Sequence, residues 1–295
     1  MKYIPAKTIL SGYNSCGEWF GCNYNMNIYR GCSHGCIYCD SRSECYHIEN
    51  FDQVRAKKDS IDILDKELRS KRKKGVVGTG SMSDPYNLFE EKYKLTRQAL
   101  ELLTKHRFGV SIATKSPLIT RDIDVLKRIK RHSPVLVKMT VTSATDGLSK
   151  ILEPNVARSS ERFEAINKLS TSGIFTGILL MSVLPFIEDH DENILEIIRL
   201  AKENGAKFIY PAFGVTLRQN QRIHFFKKLD EHFKGMSKKY IKEYGFSYEC
   251  RSKRADELWK VFKGACDKEN LLYKMEDIIN RYKNEYEEKQ ISFFS

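Results

Sequence analysis

No apolar stretch in this chain is long enough to cross a bilayer. The longest, Ile174–Ile187, meets Pro185 near its end and falls well short of the ~20 apolar residues that a spanning helix needs. The opening residues, "MKYIPAKTILSGYNSCGEWF", have no uninterrupted apolar segment behind a basic start, so no secretory signal is read there. Both absences point to a cytoplasmic protein without a membrane partner. Acidic residues are the minority charge, 38 against 50 lysines and arginines, a net charge of +12. Such a surplus suits a polyanionic partner, most commonly nucleic acid, although a soluble basic surface carries the same number. No internal repeat is evident, which excludes solenoids and propellers.

Against these absences stand 295 residues with 41% hydrophobic content, enough for one large core or two modest ones. Charged residues make up 30%, but apolar runs occur throughout, which argues against wholesale disorder. Short β-branched or apolar runs at 24–29, 75–80, 108–114, 134–142, 174–183 and 206–213 alternate with amphipathic stretches at 60–74, 94–106, 121–131, 160–172 and 191–204. Leu95, Ala99, Leu102 and Leu103 recur at helical spacing and define one face of the second helix. Gly75 and Gly205 follow basic or polar last turns as stop signals. Six strands separated by helices specify an α/β fold of parallel βαβ units. Doubly wound sheet and barrel both remain open, since strand content does not choose between them. After residue 215 the pattern turns helical and charged. We read 1–215 as a core with an N-terminal extension, 216–295 as helices packed on it, and 290–295 as a short tail.

Eight cysteines in a reducing compartment read as metal ligands, reactive thiols or core filler rather than disulfides. Three of them, Cys32, Cys36 and Cys39, are spaced C-x3-C-x2-C and framed by Gly31 and Gly35, which reach the positive φ that a tight cage of ligands requires. Thiolates suit zinc and iron–sulfur clusters alike. A structural zinc wants four ligands, and Cys45 is the available fourth, six residues beyond Cys39 without a paired C-x2-C. A four-iron cluster on three cysteines leaves one iron open.

The stretch "CSHGCIYC" resembles the C-x3-C-x-aromatic-C signature of the radical S-adenosylmethionine (SAM) enzymes. Further along, "GTGSMSDPYN" (78–87), "ATKSPLITRDIDVL" (113–126), "KMTVTS" (138–143) and "GIFTGILLMSVLPFIED" (173–189) resemble successive strand segments of the spore photoproduct lyase-like, or DNA-repair-photolyase-like, branch. The likeness covers roughly 24–215. It implies a partial (β/α)6 TIM-like barrel with additional C-terminal helices, and a [4Fe–4S] cluster on Cys32, Cys36 and Cys39. Its open iron would chelate SAM, whose reductive cleavage yields a 5′-deoxyadenosyl radical that abstracts hydrogen from substrate. It also implies cofactor contacts from Tyr38 near adenine, Ser83 and Asp84 at the methionine amino group, Lys115 at the methionine carboxylate, and hydroxyls from Thr140 and Thr142. Gly173 and Gly177 would let the fifth strand approach adenine. No catalytic residue is assigned, and an electron donor such as flavodoxin or ferredoxin is expected.

Two positions depart from the lyases. They carry a hydrogen-donating cysteine where this chain has Ser81, and a tyrosine after the third cluster cysteine where it has Asp40. A serine O–H is too strong a bond to replace a thiol, so spore photoproduct repair by that route is not expected. The expected substrate is nucleic acid, in repair or modification. The alternatives are radical chemistry on a protein or small molecule, and a non-enzymatic zinc-stabilised nucleic-acid-binding protein. "RSKRKK" (69–74) and "RQNQRIHFFKK" (218–228) read as helix ends and core faces or as phosphate contacts. Gln290–Phe294 resembles the short peptides that bind the bacterial sliding clamp, against the simpler reading of a tail folded on the last helix.

Overall fold

A computed structural model describes residues 1–12 and 19–291, with side chains up to residue 286. Six strands, β1 (Tyr24–Met26), β2 (Val76–Thr79), β3 (Gly109–Thr114), β4 (Val135–Thr140), β5 (Phe175–Leu180) and β6 (Ile209–Pro211), lie side by side in chain order and all parallel. Leu10–Gly12 adds an antiparallel edge beside β1. The helices between them are α1 (Ser60–Ser70), α2 (Leu95–His106), α3 (Ile123–Lys130), α4 (Asp146–Leu152), α5 (Ser159–Thr171) and α6 (Asp191–Glu203).

Strand order decides what strand count left open. A doubly wound sheet reverses direction partway, whereas here each strand pairs with its predecessor. Right-handed crossovers repeated in one direction put α1, α2, α3, α5 and α6 on one face of the sheet, while α4 packs at the cluster-loop end. The other face is then covered by curvature and by the chain ends. Among the described residues no ladder joins β6 back to β1, so the sheet is an open, partial barrel.

Period-two alternation sorts the strand residues between the two faces. Val110, Ile112, Val137, Met139, Ile178 and Leu180 pack with Leu64, Leu103, Leu126, Ile166 and Ile197 of the helices. Val76, Leu136 and Leu179 instead meet Phe20, Phe208, Ile278 and Tyr282. In α2 the buried residues are Thr96, Ala99, Leu100 and Leu103, with Leu95 and Leu102 half-buried. The face is therefore rotated slightly from the one read from Leu95 and Leu102.

The C-terminal residues go to both ends of the barrel. Strand β7 (Gly214–Thr216) pairs antiparallel with β8 (Glu249–Arg251), and between them lie α7 (Gln221–His232) and α8 (Met236–Tyr244). Phe225, Leu229 and Tyr240 of these helices pack on Ile37, Tyr38 and Leu184, at the cluster-loop end. Helix α9 (Ala255–Glu269) lies on α6. Helix α10 (Met275–Ile291) runs to the opposite end, where the Tyr282 hydroxyl donates to Phe20 O. The side chains of the tail peptide Gln290–Phe294 lie outside the described residues. No helix among the described residues is long and apolar enough to cross a membrane.

Candidate active site

The cysteine loop leaves a two-residue strand, Tyr29–Arg30, and ends in the single turn Asp40–Arg42. Gly31 turns it with φ +80°, where a Cβ would lie 2.6 Å from the carbonyl oxygens of Phe51 and Gln53. That close approach lets Cys32 N donate to Phe51 O at 2.8 Å. On the other side the loop is held by the residues after α4. Ile37 N donates to Leu152 O (3.0 Å), Asn155 N to His34 O (3.1 Å) and Asn155 Nδ2 to Ser33 O (3.0 Å). Cys32, Cys36 and Cys39 are thus three unpaired thiols on a backbone pinned from two sides.

Their environment asks for a cation. Burial pushes the Cys36 thiol well up, against the opposing charge of Lys115, and pushes Cys39 up as well. Burial acts on Cys32 too, but the hydrogen bond and charge of His34 outweigh it and leave that thiol below its ordinary value. Buried thiols of this kind become thiolates when a metal replaces the proton. Cys45, the fourth ligand considered for a zinc site, is exposed, with Arg218 Nη1 3.5 Å from its sulfur. Among the described residues no group of three or more His, Cys, Asp or Glu side chains gathers as a single-ion site would. Three sulfur donors fit a cluster with an open iron better than a closed zinc tetrahedron.

The strand-end residues divide into two sets. Ser83 and Asp84, expected as acceptors for an ammonium, are engaged by the protein itself. The Ser83 hydroxyl donates to Gly31 O. Asp84 Oδ1 accepts from Thr114 Oγ1 (2.7 Å) and Tyr86 N (2.9 Å), Oδ2 accepts from Lys115 N (2.8 Å), and His34 Nδ1 stands 3.5 Å from Oδ2. The pair ties the cysteine loop to the ends of β2 and β3. Gly80 makes this possible at φ +96°, where a Cβ would fall 1.9 Å from Ala113 O.

Lys115 and Tyr38 meet instead at Glu153, just beyond α4. The Tyr38 hydroxyl donates to Glu153 Oε1, and Lys115 Nζ lies 3.8 Å from the same oxygen and 5.7 Å from the centre of the Tyr38 ring. Arg162 of α5 forms an ion pair with Glu153 Oε2 and donates to Thr140 O at 2.9 Å. Burial pushes the Glu153 carboxyl up, but Arg162 and Lys115 prevail and hold it below the usual carboxylate range. Burial likewise opposes the charge on Lys115, while Cys36 and Glu153 raise it above an ordinary lysine. The Thr140 hydroxyl makes no hydrogen bond among the described residues, and Thr142 lies beside the buried carboxyl of Glu188, opposing the rise that burial causes. Gly177 is spoken for: a Cβ there would lie 2.3 Å from Phe208 O, so its smallness lets β5 and β6 pack. Gly173, at φ +81°, turns the chain into the other end of β5. Neither glycine opens toward the cluster loop.

Glu153, Arg162, His34 and Glu188 were not singled out from sequence. Nothing local marks Glu153 and Arg162, because their pairing depends on how α4 and α5 pack on the ends of β4.

A singly wound parallel sheet followed after its first strand by a loop with three free cysteines suits an iron–sulfur cluster. The profile of the Radical SAM superfamily matches residues 26–201, and the chain belongs to that superfamily. Its cofactors are accordingly a [4Fe–4S] cluster and SAM, and the zinc reading falls. The uncharacterized protein MJ0683 of Methanocaldococcus jannaschii is 31% identical over 171 residues, 57% of this chain and 63% of that protein. Protein Mb2609c of Mycobacterium bovis is 28% identical over 209 residues, 68% of this chain and 61% of that protein. The chain thus spans about three fifths of the length of these relatives. Among solved structures, a mutant of spore photoproduct lyase superposes with TM-score 0.68 at 13% identity, covering 92% of this chain and 80% of that one. The lyase complexed with dinucleoside spore photoproduct gives 0.65 at 12% identity, covering 92% and 81%. These two likenesses are of fold.

Proposed function

We propose that this radical SAM enzyme acts on nucleic acid, in repair or modification, by a route that does not use the thiol donor of spore photoproduct lyase. Bound together, the cluster and SAM supply one-electron cleavage of the sulfonium to methionine and a 5′-deoxyadenosyl radical that takes a hydrogen atom from substrate. Cys32, Cys36 and Cys39 would hold three irons. Lys115 would hold the methionine carboxylate, because its salt partner at 3.8 Å lies beyond hydrogen-bond reach and leaves its donors free. Thr140 offers an unengaged hydroxyl at the same strand ends. Tyr38 would border adenine, its ring kept in place through Glu153. Ser83 and Asp84 act in this reading by fixing the cysteine loop, and Thr142 by lying beside Glu188.

The observation that carries the nucleic-acid substrate is where the charge surplus lies. The segment 216–248, packed against the cluster loop, has eight lysines and arginines and three acids. Repair by the lyase route is disfavoured because Ser81, at the lyase cysteine's position, is an exposed serine, and Cys250 is buried in β8.

Anaerobic reconstitution tests the reading. The protein should be brown, carry about four irons and release 5′-deoxyadenosine with dithionite. Cys32→Ser should abolish both iron and product. Binding to DNA or RNA should weaken steeply with salt. Affinity that ignores salt, or repeated turnover of a spore-photoproduct dinucleotide, would contradict the nucleic-acid substrate and the route respectively.

A further inference from the structure

Arg222 locks the short loop between α8 and β8. Its guanidinium donates to the carbonyls of Leu217, Gly245, Phe246 and Ser247, the first two at 3.0 Å. The loop thus immobilised holds Phe246 94% exposed, an extreme value for a large apolar side chain. Beside it Ile223 is 70% and Tyr248 42% exposed. Together with Arg218 and Glu44 these residues line a cleft of about 680 Å³, within the ~300–1,000 Å³ range of sites that enclose drug-sized ligands. Arg218 Cζ stands 4.7 Å from the centre of the Tyr248 ring, and its Nη2 donates to the Tyr248 hydroxyl at 2.8 Å.

The cleft reaches the chemistry directly. Arg218 Nε stands 3.2 Å from Asp40 Oδ1, and Asp40 follows Cys39. Tyr46 closes the link, donating its hydroxyl to Asp40 Oδ2 at 2.7 Å. Whatever occupies the cleft is therefore held beside the cluster loop. The exposed Phe246 ring and the partly exposed Tyr248 ring with the Arg218 guanidinium over it, in a segment with eight cations and three acids, match one class of ligand, an unpaired nucleobase on a phosphate backbone. Aromatic and arginine planes stack on any base whose π-face is free, and basic side chains track a phosphate backbone. A base inside a duplex has both faces covered and offers no such surface.

We propose that this cleft binds unpaired nucleotides, single-stranded or extrahelical, with Phe246 and Tyr248 stacking on the bases. This rests on the nucleic-acid reading above and names its recognition site.

The test uses full-length, reconstituted holoenzyme and fluorescein-labelled DNA and RNA oligonucleotides of one mixed sequence, single-stranded and as blunt duplexes, read by anisotropy. Single strands should bind about tenfold more tightly than duplexes, and Phe246→Ala should weaken single-strand binding about tenfold without changing the salt slope, since it removes stacking and no charge. Phe246→Trp should keep the affinity, and its indole emission should be quenched by the oligonucleotide. Iron content and the urea-denaturation midpoint should match the wild type in both variants, which controls for folding. Tight, salt-sensitive binding that Phe246→Ala leaves intact, or an unquenched indole, overturns the cleft and spares the nucleic-acid reading. Equal affinity for duplex and single strand overturns the preference for unpaired bases. No nucleic-acid binding by the wild type removes both proposals.

Discussion

The hydroxyl of Tyr38 donates to the carboxylate of Glu153 across 115 residues of chain, and that one contact joins the cysteine loop to the far end of α4. Glu153 also pairs with Arg162 and faces Lys115, so a single buried carboxylate balances two cations and orients a ring. Removing one member of a buried ion pair leaves an uncompensated charge.

Glu153→Ala and Arg162→Ala should each destabilise the fold by about 3–5 kcal/mol. The double variant should cost clearly less than the sum, because the orphaned charge disappears with its partner. Urea denaturation of the three variants measures this, and strict additivity would rule out the coupling.

Lys115→Met should weaken SAM binding about 10- to 100-fold, the loss expected for a hydrogen bond between two charged groups. Iron content should be unchanged, because Lys115 carries no ligand to the cluster. Equilibrium binding to reconstituted protein checks the first statement and iron analysis the second. Unchanged affinity would move the methionine carboxylate to another cation.

Lys138 is buried on the inner face of β4, with its ammonium 2.7 Å from Ser111 Oγ and 4.5 Å from the centre of the Phe20 ring. Burial lowers its pKa from 10.5 to about 8. A lysine held below its ordinary value costs stability in full below pH 8, where both states are charged. The cost shrinks as pH rises and is gone above 10.5. Lys138→Met should therefore stabilise the protein by up to about 3 kcal/mol at pH 7, with the advantage vanishing near pH 10.5. Denaturation midpoints of both proteins across this range provide the comparison.

Glu188 shows the opposite slope. Burial raises its carboxyl from 4.5 to about 8, with Leu184 N donating to Oε2 at 2.9 Å and Oε1 left without a partner. Between pH 4.5 and 8 the folded state keeps a proton that the unfolded chain has released, so stability falls as pH rises and levels off above 8. Glu188→Gln should match the wild type near pH 4.5 and exceed it by about a few kcal/mol at pH 8. A constant difference between the two proteins across that range would show that the carboxyl does not titrate there.

The six strands, five of the six helices between them and the cysteine loop were legible in sequence, because each is a local pattern; the short helix α4 (Asp146–Leu152) was not read. Period-two apolar runs, period-3.6 faces and thiols flanked by glycines need no distant partner to be recognised. Lys115 and Thr140 were named through the family resemblance and not from a local pattern. The details that failed were those requiring a neighbour. That Asp84 accepts from Thr114, Tyr86 N and the Lys115 amide could not be read from sequence. Gly177 looked like an opening until Phe208 packed against it.

By itself, then, the sequence determined the class of chemistry: three thiols at a spacing that suits an open cluster, carried on an alternating α/β chain. The family resemblance implied a partial barrel, and strand order in the structure shows the sheet singly wound and open among the described residues. Only tertiary structure decided that Glu153 is the hub for Tyr38, Lys115 and Arg162, and that residues 245–248 present Phe246 to solvent beside the cluster loop. The physical reason is common to both. Buried charges and exposed rings are defined by what surrounds them, and those surroundings are assembled from segments far apart in the chain.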